Sequence, residues 1–215
     1  LKLYELMLEH MVAFTITDVQ FDALKDKLVR DYENFSLSDA HQQTREMAPD
    51  LFFNVKYTWE DALPIASQVS HEEIKRYARS LYEKTFVEAM VYGDFNKEDG
   101  EKVLELFRKK TNTKALEREK AFELDYLRMD KPETVQYAKD LLVNNSCIFR
   151  KYVIGKDSPE TRASAAIISK ALEQPFYTEM RTNQQLGYIV WSYSSNYDET
   201  HYLNFLIQSG VYPAD

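Results

Sequence analysis

Three apolar runs in the last third of the sequence constrain the fold most, because each has the length and composition of a β-strand. Residues 147–154 are rich in β-branched and aromatic side chains, and residues 188–193 and 202–207 share this pattern. The polar segment 194–199 separates the last two runs and has the composition of a turn. The sequence therefore predicts a hairpin near its end and a further strand before it.

Helical patterns occupy the first part of the chain. Apolar residues recur at helical spacing from Lys2 to Phe14, and Thr17 and Asp18 can cap a second helix. A third helix is predicted after Ser38. Pro49 is expected to kink or restart it, because proline removes a hydrogen bond and clashes with the preceding turn.

The middle of the chain combines helix and strand signals. Ser70 and Glu73 form a capping-box pair, which predicts a helix over residues 71–82. The apolar run 85–92 precedes a glycine turn and predicts a strand, after which Asn96 can cap another helix. With the hairpin, these elements define an α+β fold.

Composition and further patterns suggest two domains. Residues 108–119 are rich in Lys, Arg, Glu and Thr and poor in apolar residues, which is typical of a linker. Beyond them a strand is predicted at 135–139. A helix is predicted after Pro159, ending at Pro175, and a shorter helix at 176–184.

The overall charge and the single cysteine exclude several functional classes. A net charge of -8 argues against a nucleic-acid partner, because phosphate binding needs a surplus of Lys and Arg. Cys147 has no partner for a disulfide and is interpreted as a small buried apolar residue. No stretch approaches the roughly 20 apolar residues that span a membrane. The start has neither Met nor a signal-peptide pattern, so we expect the native start to be missing.

None of the histidines has the sequence context of a zinc ligand. His71 begins an H-E-x-x-H-like stretch, but Lys75 stands where the second ligand would be, and its charge would repel a metal ion. His41 fails the inverted H-x-x-E-H pattern, and His10 and His201 have no partner at ligand spacing. We interpret all four as surface or hydrogen-bonded structural residues. The sequence also lacks a G-x-S-x-G motif and a phosphate-binding glycine loop.

The segment 175–190 carries a long match to a known family. Its sequence, PFYTEMRTNQQLGYIV, resembles the P-x-F…L-R-T-x-x-Q-L-G-Y-x-V segment in the C-terminal half of insulinase- and pitrilysin-type (M16) zinc peptidases. The match continues at residues 205–209. Residues 18–41, the region around Trp59 and residues 88–94 resemble the family more weakly, while residues 191–195 have no clear counterpart.

The resemblance implies a domain arrangement and a cofactor. Members of the family have four related α+β domains that close around peptides or small unfolded proteins. Their Zn²⁺ and general-base Glu lie in an H-x-x-E-H motif of the first domain. The chain is then expected to hold two incomplete domains, each an antiparallel-rich sheet packed with helices: residues 1–110 from the third and 131–215 from the fourth, joined by a linker at 111–130. No metal ligand or other cofactor contact is expected within it.

The resemblance assigns roles to two residues. In the family, the Arg and Tyr of this segment reach toward the peptide bond that is cleaved, and they correspond to Arg181 and Tyr188. A guanidinium can hold a carbonyl or carboxylate, and a phenol can donate a hydrogen bond to a developing oxyanion. Without the resemblance, Arg181 would be interpreted as a helix C-terminal residue and Tyr188 as a strand aromatic. Leu186 and Gly187 are expected to shape the helix-to-strand turn.

Three functional hypotheses follow. The first is the substrate-chamber portion of a zinc metalloendopeptidase, whose partners are peptides and the N-terminal catalytic half of the same polypeptide. The second is a catalytically inactive M16-fold subunit for peptide binding or assembly. The third is an unrelated α+β interaction module, in which Arg181 and Tyr188 would not share a concave face. The sequence leaves a cytoplasmic and a periplasmic location both open.

Overall fold

The computed structural model describes residues 1–125, 134–197 and 199–214. Helices and an antiparallel sheet are both present, which confirms the α+β class. The chain forms two compact units, each built from two stretches of sequence. The first contains Leu1–Val29 and Pro64–Glu123, and the second contains Arg30–Leu63 and Leu124–Asp215. The domain limits 1–110, 111–130 and 131–215 stay a prediction.

The first unit is mainly helical. Three helices, a short 3₁₀ turn and two strands that pair in parallel lie wholly within it. The beginning of the helix Asp18–Phe35 and the end of the helix Trp59–Gln68 also belong to it. The elements are α1 Lys2–Val12, α2 Asp18–Phe35, α4 Trp59–Gln68, α5 His71–Ser80, β1 Lys84–Thr85, α6 Lys97–Thr111, β2 Lys114–Ala115 and the 3₁₀ turn Arg118–Lys120.

Side-chain caps fix the start of three helices where the sequence predicts them. The Ser70 hydroxyl accepts from the backbone N–H of Glu73, and the Glu73 carboxylate accepts from the backbone of Ser70. Asn96 makes the same reciprocal arrangement at the start of α6. At α2, the Thr17 hydroxyl accepts from the backbone of Gln20 at 3.2 Å. Because these bonds satisfy donors that the helix leaves unpaired, the helix starts are confirmed.

The strand predicted at 85–92 is wrong beyond its first residue. β1 ends at Thr85, and residues 86–92 join no ladder within the described part of the chain. Met90 and Tyr92 are both 89% exposed. The apolar run has the composition of a strand, but a strand forms only where a partner supplies hydrogen bonds, and β2 pairs with β1 alone.

The second unit contains the sheet. Strands β3, β5 and β4 lie side by side in that order and are antiparallel throughout. Leu206 and Tyr202 on the central strand β5, Val190 on β4 and Ala165 on α7 are buried and form part of the core. The elements are α3 Ala40–Met47, a 3₁₀ turn Ala48–Leu51, β3 Ser146–Lys156, α7 Pro159–Tyr177, a π-helical turn Thr178–Asn183, β4 Ile189–Tyr197 and β5 Thr200–Ser209.

The predicted hairpin is confirmed, although its turn is shorter than expected. Pairing runs from Ile189 opposite Gln208 to Tyr197 opposite Thr200. Residues 194–197 therefore belong to β4 and not to the turn, because their backbone groups pair with β5. The strand predicted at 147–154 is also confirmed, as the centre of β3.

Two other predictions in this unit are wrong. Residues 135–139 form no strand among the described residues, and the strand that pairs with β3 there is β5. Pro175 does not end α7, which continues to Tyr177 and then widens into the π-helical turn. Proline removes only one backbone donor, and Phe176 packs against Phe205 on the sheet with ring centroids 4.9 Å apart, which holds the helix in place.

The third predicted helix is confirmed as α3, and the chain restarts as a 3₁₀ turn around Pro49 as expected. Helix α4 was not predicted. Its signal is the pair Thr58 and Asp61, whose side chains and backbones bond reciprocally at the helix start. Across the described ranges, no helix has both the length and the apolar character needed to cross a membrane.

Candidate functional site

The structure brings Arg181 and Tyr188 together. The guanidinium carbon of Arg181 lies 4.2 Å from the centroid of the Tyr188 ring, which is a close cation–π contact. Arg181 belongs to the π-helical turn, and Tyr188 stands immediately before β4. Tyr188 is 85% exposed, so its phenol is available to a molecule at the surface.

Backbone hydrogen bonds close the turn that joins these two residues. The N–H of Gln184 donates to the carbonyl of Glu179 at 2.9 Å, and the N–H of Leu186 donates to that of Met180 at 3.0 Å. Gln185 has a φ of 54°, in the left-handed region that reverses the chain after a helix. The turn thus directs the chain from α7 into the sheet.

Glu179 is held inside this turn and does not pair with Arg181. Its two carboxylate oxygens accept from the side-chain amides of Gln184 and Asn183, each at 2.8 Å. These hydrogen bonds, that of Gln184 first, lower the pKa of Glu179, so the carboxylate stays ionised and bound within the turn. No carboxylate in the described ranges forms an ion pair with Arg181, whose charge therefore remains available.

Gly187 sets the position of Tyr188 against the sheet. A Cβ atom at Gly187 would lie 1.7 Å from the backbone carbonyl oxygen of Gln208 on β5, a distance that no side chain can occupy. The chain can approach β5 this closely only because residue 187 is glycine. The left-handed residue of the turn is Gln185, and the role that the structure gives Gly187 is this close approach to β5. That Leu186 and Gly187 shape the helix-to-strand turn stays a prediction.

Lys151 lies on the same sheet, surrounded by aromatic rings. Its ammonium nitrogen is 4.6 Å from the centroid of the Tyr197 ring, 4.8 Å from Tyr202, 5.4 Å from Phe52 and 5.5 Å from Phe149. Burial lowers the pKa of Lys151 to about 8. The rings favour the ammonium form, but they replace only part of the lost hydration.

We expect Lys151→Met to stabilise the protein at pH 7, because the substitution removes a partly buried charge. The gain should be only about 1 kcal/mol, because solvent still reaches part of that charge. The pKa of about 8 lies below the value of about 10.4 in an unfolded chain. The unfolded state therefore binds more protons between these values, so wild-type stability rises with pH across this window. Urea denaturation near pH 8 and near pH 10 should show that the extra stability of the variant over the wild type disappears at the higher pH.

Lys156 provides a matched control, because its side chain is exposed and pairs with Glu199 at the surface. Lys156→Met should change stability little and should not alter the pH dependence. If the difference in unfolding free energy between Lys151→Met and the wild type stays constant from pH 8 to pH 10, the lowered pKa of Lys151 is contradicted.

Three histidines have hydrogen-bonded partners. His41 Nδ1 lies 2.8 Å from the side-chain oxygen of Gln208, His71 bonds to Asp18, and His201 Nε2 lies 2.6 Å from Asp157. Among the residues that the structure describes, no group of three or more His, Cys, Asp or Glu side chains is placed to hold a metal ion. The described side chains therefore do not fit a zinc site.

Two further ionisable groups, one near each end of β3, have shifted pKa values. Arg162 and then His201 hold the pKa of the Asp157 carboxyl well below its usual range, and the trio links the start of α7 to β5. Burial raises the pKa of Cys147 to about 11. The thiol is therefore protonated at neutral pH and is a poor nucleophile.

Comparisons with known proteins agree with this fold and this turn. Residues 167–215, which contain Arg181 and Tyr188, match the family described as "PQQ synthase PqqF-like, C-terminal lobe domain 4". The insulin-degrading enzyme of Drosophila melanogaster is 24% identical over 99% of the chain and 22% of its own length. The A-factor-processing enzyme of Saccharomyces cerevisiae is 25% identical over 88% of the chain and 19% of its own length.

A solved structure shows the same fold. The crystal structure of pitrilysin superimposes with a TM-score of 0.73 and 19% identity, over 98% of this chain and 22% of that one. The homologues are M16 zinc metallopeptidases, and this chain is part of an M16-family protein. It spans about a fifth of the length of the relatives that it matches.

Proposed function

We propose that this chain forms part of the substrate chamber of a zinc-dependent metalloendopeptidase that degrades peptides or small unfolded proteins. The contact between Arg181 and Tyr188 at an exposed turn is the observation that carries the proposal. An unrelated interaction module gives no reason for these two residues to meet. In the proposed parent, the zinc ion is held by the N-terminal catalytic half of the same polypeptide.

The two side chains would act directly on the peptide. Arg181 would hold a substrate carbonyl or carboxylate, since its guanidinium has no described acidic partner and presents donors in a fixed planar arrangement. Tyr188 would donate its phenolic hydrogen to the oxygen that becomes negative as water adds to the peptide bond. The stacking of Arg181 on the ring would orient the phenol before substrate arrives.

The proposed domain arrangement accompanies this role. Residues 1–110 would be the later part of the third M16-type domain, 111–130 a linker, and 131–215 the beginning of the fourth. The aromatic Tyr188 and the cationic Arg181 would then belong to the fourth domain. Peptide cleavage would require both halves of the parent.

Metal analysis combined with a peptide assay tests this function. The parent protein is expected to cleave a fluorogenic peptide, to lose at least nine-tenths of that activity with a chelator, and to recover it with zinc. The 215-residue chain, dialysed under the same conditions, is expected to retain far less than one zinc per molecule.

Either of two results would contradict the proposal. One tightly held zinc in the isolated chain would place a metal site within it. A parent that binds peptides but does not cleave them at any concentration of added zinc would instead support a catalytically inactive M16-fold subunit for peptide binding or assembly.

A further inference from the structure

A second arginine lies over a second aromatic ring, on the strand that begins directly after Tyr188. The guanidinium carbon of Arg45, on α3, is 5.7 Å from the ring centroid of Trp191 on β4. Arg45 is exposed and Trp191 is 37% exposed, so a molecule at the surface can reach both. The arrangement repeats the contact between Arg181 and Tyr188 with different residues.

Neighbouring side chains hold this second pair in place. The ring of His41 meets Trp191 edge-on, with centroids 5.3 Å apart. Both the backbone N–H and the Nδ1 atom of His41 lie 2.8 Å from the side-chain oxygen of Gln208. Gln208 is also the residue whose backbone carbonyl lies against Gly187. The second pair is therefore connected to the turn that carries Tyr188 through residues in direct contact.

The charge of Arg45 is not neutralised by any carboxylate in the described part of the chain. The adjacent acid, Glu46, pairs with Lys56 at 3.1 Å. Arg162 shows the contrasting case, since Asp157 binds its guanidinium with two hydrogen bonds of 2.7 and 2.6 Å. An exposed, unpaired guanidinium that is fixed on an aromatic ring is suited to bind a carboxylate, because the ring restricts its motion and leaves its donors open.

We infer that Arg45 and Trp191 form a second substrate-contact site, which selects a carboxylate group of the bound peptide. This inference rests on the proposed function and adds a specificity to it. The carboxylate can be an acidic side chain or the C-terminus of the peptide.

A position scan of peptide substrates tests the inference in the parent protein. Each fluorogenic peptide carries one Glu at a single position, its matched partner carries Gln there, and both are made with a free and an amidated C-terminus. We expect the wild type to favour a carboxylate at one position by about tenfold in kcat/KM, as a charge-assisted hydrogen bond would give. Arg45→Ala should bring this ratio close to one, and Arg45→Lys should retain part of it.

Two further variants separate the site from a general effect of charge. Trp191→Ala should weaken the preference even though Arg45 is still present. Arg76→Ala removes an exposed arginine from the first unit and should leave the preference unchanged. Dependence on Glu identifies a side-chain carboxylate, whereas dependence on the free C-terminus identifies the chain end, and both support the inference.

Equilibrium binding of the same peptides with a chelator present keeps this test independent of catalysis. If the parent does not cleave peptides, a carboxylate preference in Kd that is lost in Arg45→Ala still supports the site. If the parent cleaves peptides normally, a wild type without carboxylate preference, or an Arg45→Ala variant that keeps it, would overturn the inference and leave the proposed function intact.

Discussion

Tyr188→Phe in the parent protein is expected to lower kcat for peptide cleavage about a hundredfold while changing peptide affinity by less than about threefold. The substitution keeps the ring, so the stacking of Arg181, 4.2 Å from its centroid, is preserved and only the phenolic donor is lost. That donor would matter mainly when the carbonyl oxygen becomes negative, which is why turnover should fall more than binding. Steady-state kinetics and the Kd of an uncleaved peptide measure the two effects separately.

Tyr57→Phe is the matched control, because Tyr57 is also highly exposed but has no place in the candidate site. It should leave both kcat and affinity unchanged. A Tyr188→Phe enzyme with the turnover number of the wild type would remove Tyr188 from the mechanism. A loss of affinity equal to the loss of turnover would assign it to binding instead.

Gly187→Ala is expected to destabilise the protein by about 3 kcal/mol, at the upper end of the range for overpacking. The added methyl group would lie 1.7 Å from the carbonyl oxygen of Gln208, which is backbone and cannot rotate away as a side chain can. Relief would require β4 to move from β5 at the point where their pairing begins. Urea denaturation monitored by far-UV circular dichroism measures the loss.

Gly210→Ala provides the control for Gly187→Ala. Gly210 follows β5 directly, and a Cβ atom there would meet nothing within 4 Å. Its substitution should change the free energy of unfolding by less than about 0.5 kcal/mol, as is usual at unconstrained surface positions. Equal effects from the two alanines would show that the close approach at Gly187 is not a constraint on the fold.

Helix starts were predictable because their signals are local. Ser70 with Glu73, and Asn96 with the acid that follows it in α6, satisfy backbone donors within one turn, so the pattern in the sequence already contains the interaction. The hairpin was predictable for a similar reason, since its two strands are neighbours in the chain. The family resemblance at 175–190 indicates Arg181 and Tyr188 as candidate site residues from the sequence alone.

Three failed predictions depended on partners distant in sequence. The run 86–92 has the composition of a strand, but nothing in a local pattern states whether another strand will lie beside it. The same holds for residues 135–139, which pair with no strand in the described part of the chain. Pro175 was expected to end a helix, but packing of Phe176 against Phe205 compensates for the hydrogen bond that proline removes.

The sequence by itself determined the α+β class, the capped helices, the hairpin and the identity of the two candidate site residues, because these follow from local hydrogen bonding, apolar spacing and a specific motif. Only the tertiary structure decided that Arg181 stacks on Tyr188 and that Gly187 lies against Gln208. It also decided that Arg45 reaches Trp191 from a distant helix. Such contacts depend on how the turn and the sheet bring separate segments together, and no local pattern of residues specifies that arrangement.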